Sequence, residues 1–139
     1  MVSVLHVVTS AAPSHAGSIA DLVVKAKASR WRVLVVSTPL GLRFFDPLQL
    51  EELTGEPVRS DFALGLLCEL TGYGVPIVAV PMLKPALATH LAFERSLDVL
   101  RQMGVRVLFD PSAPYERRMP AWDDVLSELN QLIGGTSPV

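Results

Sequence analysis

A three-layer α/β domain, with helices on both faces of a parallel sheet of about four strands, is the fold class this sequence predicts, on three observations. Short apolar runs rich in branched residues, such as Pro76 to Pro81 and Val105 to Phe109, alternate with longer stretches of helical period. From Ala86 to Met103, Ala86, His90, Phe93, Leu97 and Leu100 recur at helical spacing, while Glu94, Arg95, Asp98, Arg101 and Gln102 share the opposite arc. Gly104 stands where a helix-ending glycine belongs, so strand, helix and strand are joined by short turns into a right-handed parallel βαβ unit. In such sheets ligands bind beyond the carboxyl ends of the strands, which directs attention to Pro81 to Pro85.

In chain order, Val2 to Val8 is the first strand, and Thr9 to Ser18 is a loop of small and hydroxyl residues. Ser18 is placed to cap the following helix, whose apolar Ile19, Leu22, Val23 and Ala26 lie on one face. Trp31 to Val36 is the second strand, and Ser37-Thr38-Pro39 a second hydroxyl-bearing loop with Phe44 and Phe45 just beyond. Asp46 caps a short helix to Leu53, with Pro47 at its first position. Thr54 to Asp61 reads as irregular and polar, Phe62 to Leu70 as a small-residue helix, and Thr71 to Gly74 as a turn into the central unit. After Asp110, a proline-rich loop from Pro111 to Pro120 precedes a last helix, Ala121 to Ile133, whose Asp123 and Asp124 suit the positive end of the helix dipole. Residues 1–133 read as a single domain, and Gly134 to Val139 as a loose tail.

Composition narrows the function. Half of the 139 residues are hydrophobic and mean hydropathy is +0.38, yet no apolar run approaches the roughly 20 residues that span a bilayer. The excess apolarity fits a sheet buried on two sides, with an apolar subunit interface. A net charge of -2, from 12 basic and 14 acidic residues, gives no electrostatic case for nucleic acid. The start, MVSVLHVVTS, lacks a basic leader region, and one cysteine cannot form an internal disulfide, so a reducing cytoplasm is the expected home.

Two consecutive strands end in hydroxyl-rich loops followed by helices, an arrangement suited to a phosphate; Thr9, Ser10, Ser14, Ser18, Ser37 and Thr38 are the candidates. The plainer alternative is that these residues cap helices and fill turns. Neither a dinucleotide glycine fingerprint nor a P-loop is present. His6 reads as a sheet histidine, His15 as a possible contact to phosphate or substrate, and His90 as a packed histidine on the buried side of the central helix. No two of them have metal-ligand spacing, so no metal is predicted. Cys68, in an apolar helix, reads as an inert buried thiol.

The segments TSAAPSHAGSIADLV, VLVVSTPLGLRFFD and GLLCELTGYGVPIVAVPMLKPALATHLAFERSLDVLRQMGVRVLFDP, in that order, resemble the flavoprotein family of homo-oligomeric flavin-containing cysteine decarboxylases. That family includes phosphopantothenoylcysteine decarboxylase and decarboxylases of lantibiotic peptides. The resemblance covers Val2 to Pro111 and implies a Rossmann-like (flavodoxin-like) fold. It also implies FMN at a subunit interface of a trimer or of a multiple of trimers. By position, Ser10 and Ser18 would lie near the flavin and its ribityl phosphate, and Ser37, Thr38 and Phe44 in the loop that holds the phosphate end. Val80, Pro81 and Met82 lead into the loop that in the family reads P-x-M-N and touches substrate.

The chain departs from the family in three places. Leu83 and Lys84 stand at the methionine and asparagine of that loop; Lys84 could bind an anionic substrate or phosphate, or be a solvated loop lysine. Between Asp61 and Phe62 the family would carry its catalytic histidine, an inner strand and an asparagine-bearing flavin loop. Their absence implies either a sheet closed up by pairing Val2 to Val8 with Pro76 to Pro81, or an internally shortened chain. The segment Pro111 to Pro120 is cysteine-free, where the family has a cysteine-bearing substrate lid. Two functions are therefore weighed: an FMN-dependent decarboxylase acting on a cysteine-containing peptide or small molecule, and a non-catalytic flavin- or nucleotide-binding partner subunit. A small α/β protein that kept the fold and lost the ligand is the plainest third.

Overall fold

The computed structural model describes residues 3–9, 19–60, 63–81, 85–114 and 120–135. The chain divides into two compact units, Met1–Cys68 and Glu69–Val139.

In the first unit, β1 (Val4–Thr9) and β2 (Arg32–Ser37) are joined through α1 (Ile19–Ala28) and pair in parallel, from Val4 beside Arg32 to Thr9 beside Ser37. Neighbouring side chains of a strand point to opposite faces, and Val35 and Val36 are 2% and 3% exposed, so both faces of β2 are covered. Ile19, Leu22, Val23 and Ala26, the face that spacing assigned to α1, are its buried residues. A 3-10 helix, Gly41–Phe44, leads to α2 (Pro47–Thr54). Asp46 caps α2, its Oδ1 accepting from the Leu48 N–H at 3.0 Å, and Pro47 opens it where a missing N–H costs nothing. Leu50 is the buried residue of α2, at 1% exposure; a fully buried leucine contributes about 2 kcal/mol.

The segment after α2 is more ordered than its polarity suggests. Gly55 leaves the helix in the left-handed region at φ 75°, and the Val58 N–H donates to Glu51 Oε1 at 3.2 Å. Arg59 then forms a parallel bridge with Val36. The Arg59 N–H donates to the Val35 carbonyl at 3.2 Å and the Ser37 N–H to the Arg59 carbonyl at 2.8 Å, so β2 is hydrogen-bonded along both edges.

In sequence α3 follows, Ala63–Gly72. It takes in Thr71 and Gly72, which the sequence assigned to a turn. Cys68 is exposed, against the expectation of a buried thiol. The stretch ALGLLCEL is apolar apart from Glu69, so its hydrophobic pattern only weakly marks an inward face; Ala63 is buried and Leu67 is exposed.

In the second unit, β3 (Val78–Ala79) and β4 (Arg106–Val107) pair in parallel. Both strands are shorter than the apolar runs that contain them. Pro76 and Pro81 bracket β3, and neither offers an N–H to a ladder. The helix expected over 86–103 is divided into α4 (Pro85–Ala88) and α5 (Leu91–Gln102). His90 stands between them with extended backbone at ψ 134°, and its Nδ1 accepts from the Ala92 N–H at 3.1 Å. His90 is thus the exposed N-cap of α5 and does not belong to the buried stripe, and Ala86 is exposed as well. Downstream of the cap the stripe holds: Leu97 is buried, Phe93 and Leu100 are half-buried, and the Phe93 ring meets Phe109 edge to face at 5.2 Å. Gly104 ends the helix at φ 86°. The last helix, α6 (Trp122–Gly135), buries Val125, Leu126 and Leu129, and Glu128 pairs with Arg106 of β4 at 2.7 Å. Among the described residues, no helix is long and apolar enough to cross a membrane.

Candidate functional site

The parallel register carries two hydroxyl side chains to the carboxyl end of the first sheet, Thr9 at the last position of β1 and Ser37 beside it on β2. Ser37 is 0% exposed. Its Oγ lies 2.8 Å from the Thr38 carbonyl and 3.1 Å from Thr9 Oγ1. A carbonyl can only accept, so the single proton of Ser37 goes to Thr38, and Thr9 must be the donor in the other contact. Both groups are thereby satisfied inside the protein.

Thr38 is held differently. Its N–H donates to the Thr9 carbonyl at 3.0 Å, and its carbonyl also accepts from Leu42 at 3.3 Å. Its Oγ1 accepts from the Gly41 N–H at 3.1 Å, closing the turn into the 3-10 helix. An amide N–H can only donate, so this bond leaves the Thr38 hydroxyl proton for another acceptor. Thr38 is half-buried. Phe44 is the last residue of that 3-10 helix. Arg59, which the sequence reading passed over, is set by its bridge beside Val36, one residue before Ser37. No periodic signal marks a bridge of one residue.

Ser10 and Ser18 of the first loop, His15 within it, and Met82 and Lys84 of the substrate loop lie outside the described residues, as does the side chain of Phe44. Pro81 is described and half-buried, just past β3, where the Leu108 N–H donates to the Ala79 carbonyl at 2.9 Å. The structure therefore brings together Thr9, Ser37 and Thr38 in the first unit, and it places Pro81 at the corresponding strand end of the second.

A groove of about 270 Å³, lined by Val75, Pro76, Ile77, Met103, Val105 and Leu132 among others, lies at the opposite, amino ends of β3 and β4. Amino ends of parallel strands follow helix carboxyl ends, which present carbonyls and disfavour an anion. Among the described residues, no three His, Cys, Asp or Glu side chains come together as a metal-holding group.

Parallel strands linked through helices make this an α/β chain with small parallel sheets, and its fold is similar to the Rossmann, flavodoxin-like fold of solved flavoprotein structures. Solved structures with this fold include the FMN-dependent cysteine decarboxylase SpaF, at a TM-score of 0.71 and 15% identity over 96% of this chain and 98% of that one. A PPC decarboxylase variant complexed with pantothenoylaminoethenethiol matches at a TM-score of 0.74 and 14% identity, over 96% of this chain and 100% of that one. HAL3 from Cryptococcus neoformans matches at 0.68 and 14%, over 96% and 97%. At these identities the likeness is one of fold. No protein-family model matches the sequence, and no curated protein matches it.

Proposed function

We propose that this chain is an FMN-binding flavoprotein of the cysteine-decarboxylase class, a three-layer Rossmann-like domain acting on a cysteine-containing peptide or small molecule. The observation that carries the reading is the turn at the carboxyl end of β2, where the Thr38 hydroxyl keeps a proton for an acceptor such as a phosphate oxygen. The solved structures of the same fold that are FMN-dependent cysteine decarboxylases support it. In this reading Ser10, Ser18 and the Ser37-Thr38 turn hold the phosphate and ribityl end, and Phe44 borders the flavin. FMN, when bound, supplies oxidation of a cysteine thiol, which eases loss of the adjacent carboxylate. Pro81 follows β3 and precedes Met82 and Lys84 in sequence, and in this reading the Lys84 ammonium meets an anionic substrate. The apolar side chains exposed on α5 and at its C-cap, Leu91, Val99 and Met103, support a homo-oligomer, in this reading a trimer or multiple of trimers, and the cytoplasm is its proposed location.

A second reading is a non-catalytic flavin- or nucleotide-binding subunit that completes another chain's site. It is favoured by two observations: Leu83 and Lys84 replace the methionine and asparagine of the substrate loop, and the family's histidine segment between Asp61 and Phe62 is absent. The first experiment is the visible spectrum of freshly purified protein, with mass identification of what heat releases. Bound flavin released as FMN is the expected result; a colourless protein that takes up no added FMN removes the first reading and leaves of the second only a nucleotide-binding or partner-dependent subunit. With FMN bound, turnover of a cysteine-ended peptide or of phosphopantothenoylcysteine selects the first reading, and no turnover selects the second.

A further inference from the structure

Ser37 and Thr38 are adjacent hydroxyl residues in one turn, and either could be taken for the phosphate contact. Their hydrogen bonds separate them. Ser37 is completely buried, its proton is committed to the Thr38 carbonyl, and its oxygen accepts from Thr9. Thr38 is half-buried, and its oxygen accepts from Gly41 while its proton has no acceptor among the described residues. We infer that Ser37 does not touch the anion but acts as a positioning residue, latching β1 to β2 through Thr9 so that the turn offers the Thr38 hydroxyl to the phosphate. This rests on the FMN reading above and divides its binding turn into a contact and a support.

Three bonds converge on the latch. The Thr38 N–H reaches the Thr9 carbonyl at 3.0 Å, and Thr9 Oγ1 reaches Ser37 at 3.1 Å, so β1 is tied to the turn by backbone and side chain together. Ser37 Oγ, at 2.8 Å, then fixes the Thr38 carbonyl, and with it the peptide plane that sets the direction of the Thr38 side chain. Without the Ser37 hydroxyl, Thr9 keeps a proton in a half-buried place with no acceptor among the described residues, and the turn loses a restraint.

The test compares binding of FMN and of riboflavin, which lacks the phosphate, by flavin fluorescence quenching in wild type, Thr38→Val, Thr38→Ser and Ser37→Ala. Amide exchange is measured in the same proteins without flavin. A hydrogen bond to a charged group supports an expectation of about tenfold weaker FMN binding in Thr38→Val, with riboflavin binding unchanged and recovery in Thr38→Ser. Ser37→Ala is expected to weaken FMN binding about threefold and to speed exchange of the Thr38 and Gly41 amides about tenfold. If Ser37→Ala does not fold, Thr9→Val, of matched shape, removes the same latch. Normal FMN binding in Thr38→Val beside a phosphate-specific loss in Ser37→Ala, with unchanged amide exchange, reverses the assignment and overturns the inference. Equal wild-type affinity for FMN and riboflavin overturns it while leaving the flavin reading in place. A wild type that binds neither overturns both.

Discussion

The two units follow the same path and reach different strengths of sheet. In each, a strand leads to a helix and the chain returns to a parallel neighbour, yet β1 and β2 run for 6 residues and β3 and β4 for 2. The helix exits are the same device. After α1 the Trp31 N–H reaches the Ala26 carbonyl at 3.1 Å, and after α5 the Val105 N–H reaches the Leu100 carbonyl at 3.0 Å. These are the long closing bonds of a Schellman turn. What differs is the strands themselves. Val33, Val35 and Val36 of β2 are 1–3% exposed, while Val78 and Ala79 of β3 are half-buried between prolines. The hand of a return turn is local, whereas ladder length depends on an unbroken series of N–H groups and on cover over both faces.

The largest effect is expected where the comparison is sharpest. Val35→Ala leaves a cavity under a strand covered on both faces and should cost about 2 kcal/mol in urea unfolding, against about 1 kcal/mol for Val78→Ala. Equal costs would mean that β3 is as well covered as β2, and the contrast between the units would fail.

A smaller effect separates the two exits. Arg30 holds φ at 66° where Gly104 holds it at 86°, so the same turn is made by a side chain that resists it and by a residue that does not. A Cβ at Gly104 would meet nothing within 4 Å, so Gly104→Ala isolates the backbone cost, about 1 kcal/mol. Arg30→Gly should stabilise by about 0.5 kcal/mol. Thermal unfolding of both variants decides it, and the same sign of change in the two would show that the exits are not equivalent.

The smallest concerns His90. His90→Ala removes the acceptor for the Ala92 N–H and should cost about 0.5 kcal/mol, with His90→Asn restoring it. A loss that asparagine does not restore would return His90 to a packing role.

Much of this was legible in the sequence because it is local. The apolar face of α1, the Asp46-Pro47 start of α2 and the Gly104 stop follow from spacing and from backbone preference, and each is found. The division of the central helix was not legible. His90 has a helical-period partner in Leu97, and periodicity does not register that an imidazole can accept from an amide two residues on. The outward Cys68 was missed because a helix with Glu69 as its one charge carries little directional signal. At the candidate site the residue types were visible, but the roles were not: a serine and a threonine read alike until the acceptors around them are known.

The asymmetry of the connections has a consequence for how this molecule can change. Returns from helix to strand, residues 29–31 and 103–105, are short and closed by a left-handed residue, whereas the outgoing segments 10–18, 38–46 and 80–84 carry the candidate binding residues. An inserted or deleted residue in a return would shift the pairing of the following strand by one residue and exchange the side chains on its two faces. Diversification by length is thereby confined to the outgoing side, and relatives of this chain are expected to vary in size at the carboxyl strand ends while their helix returns keep a fixed count.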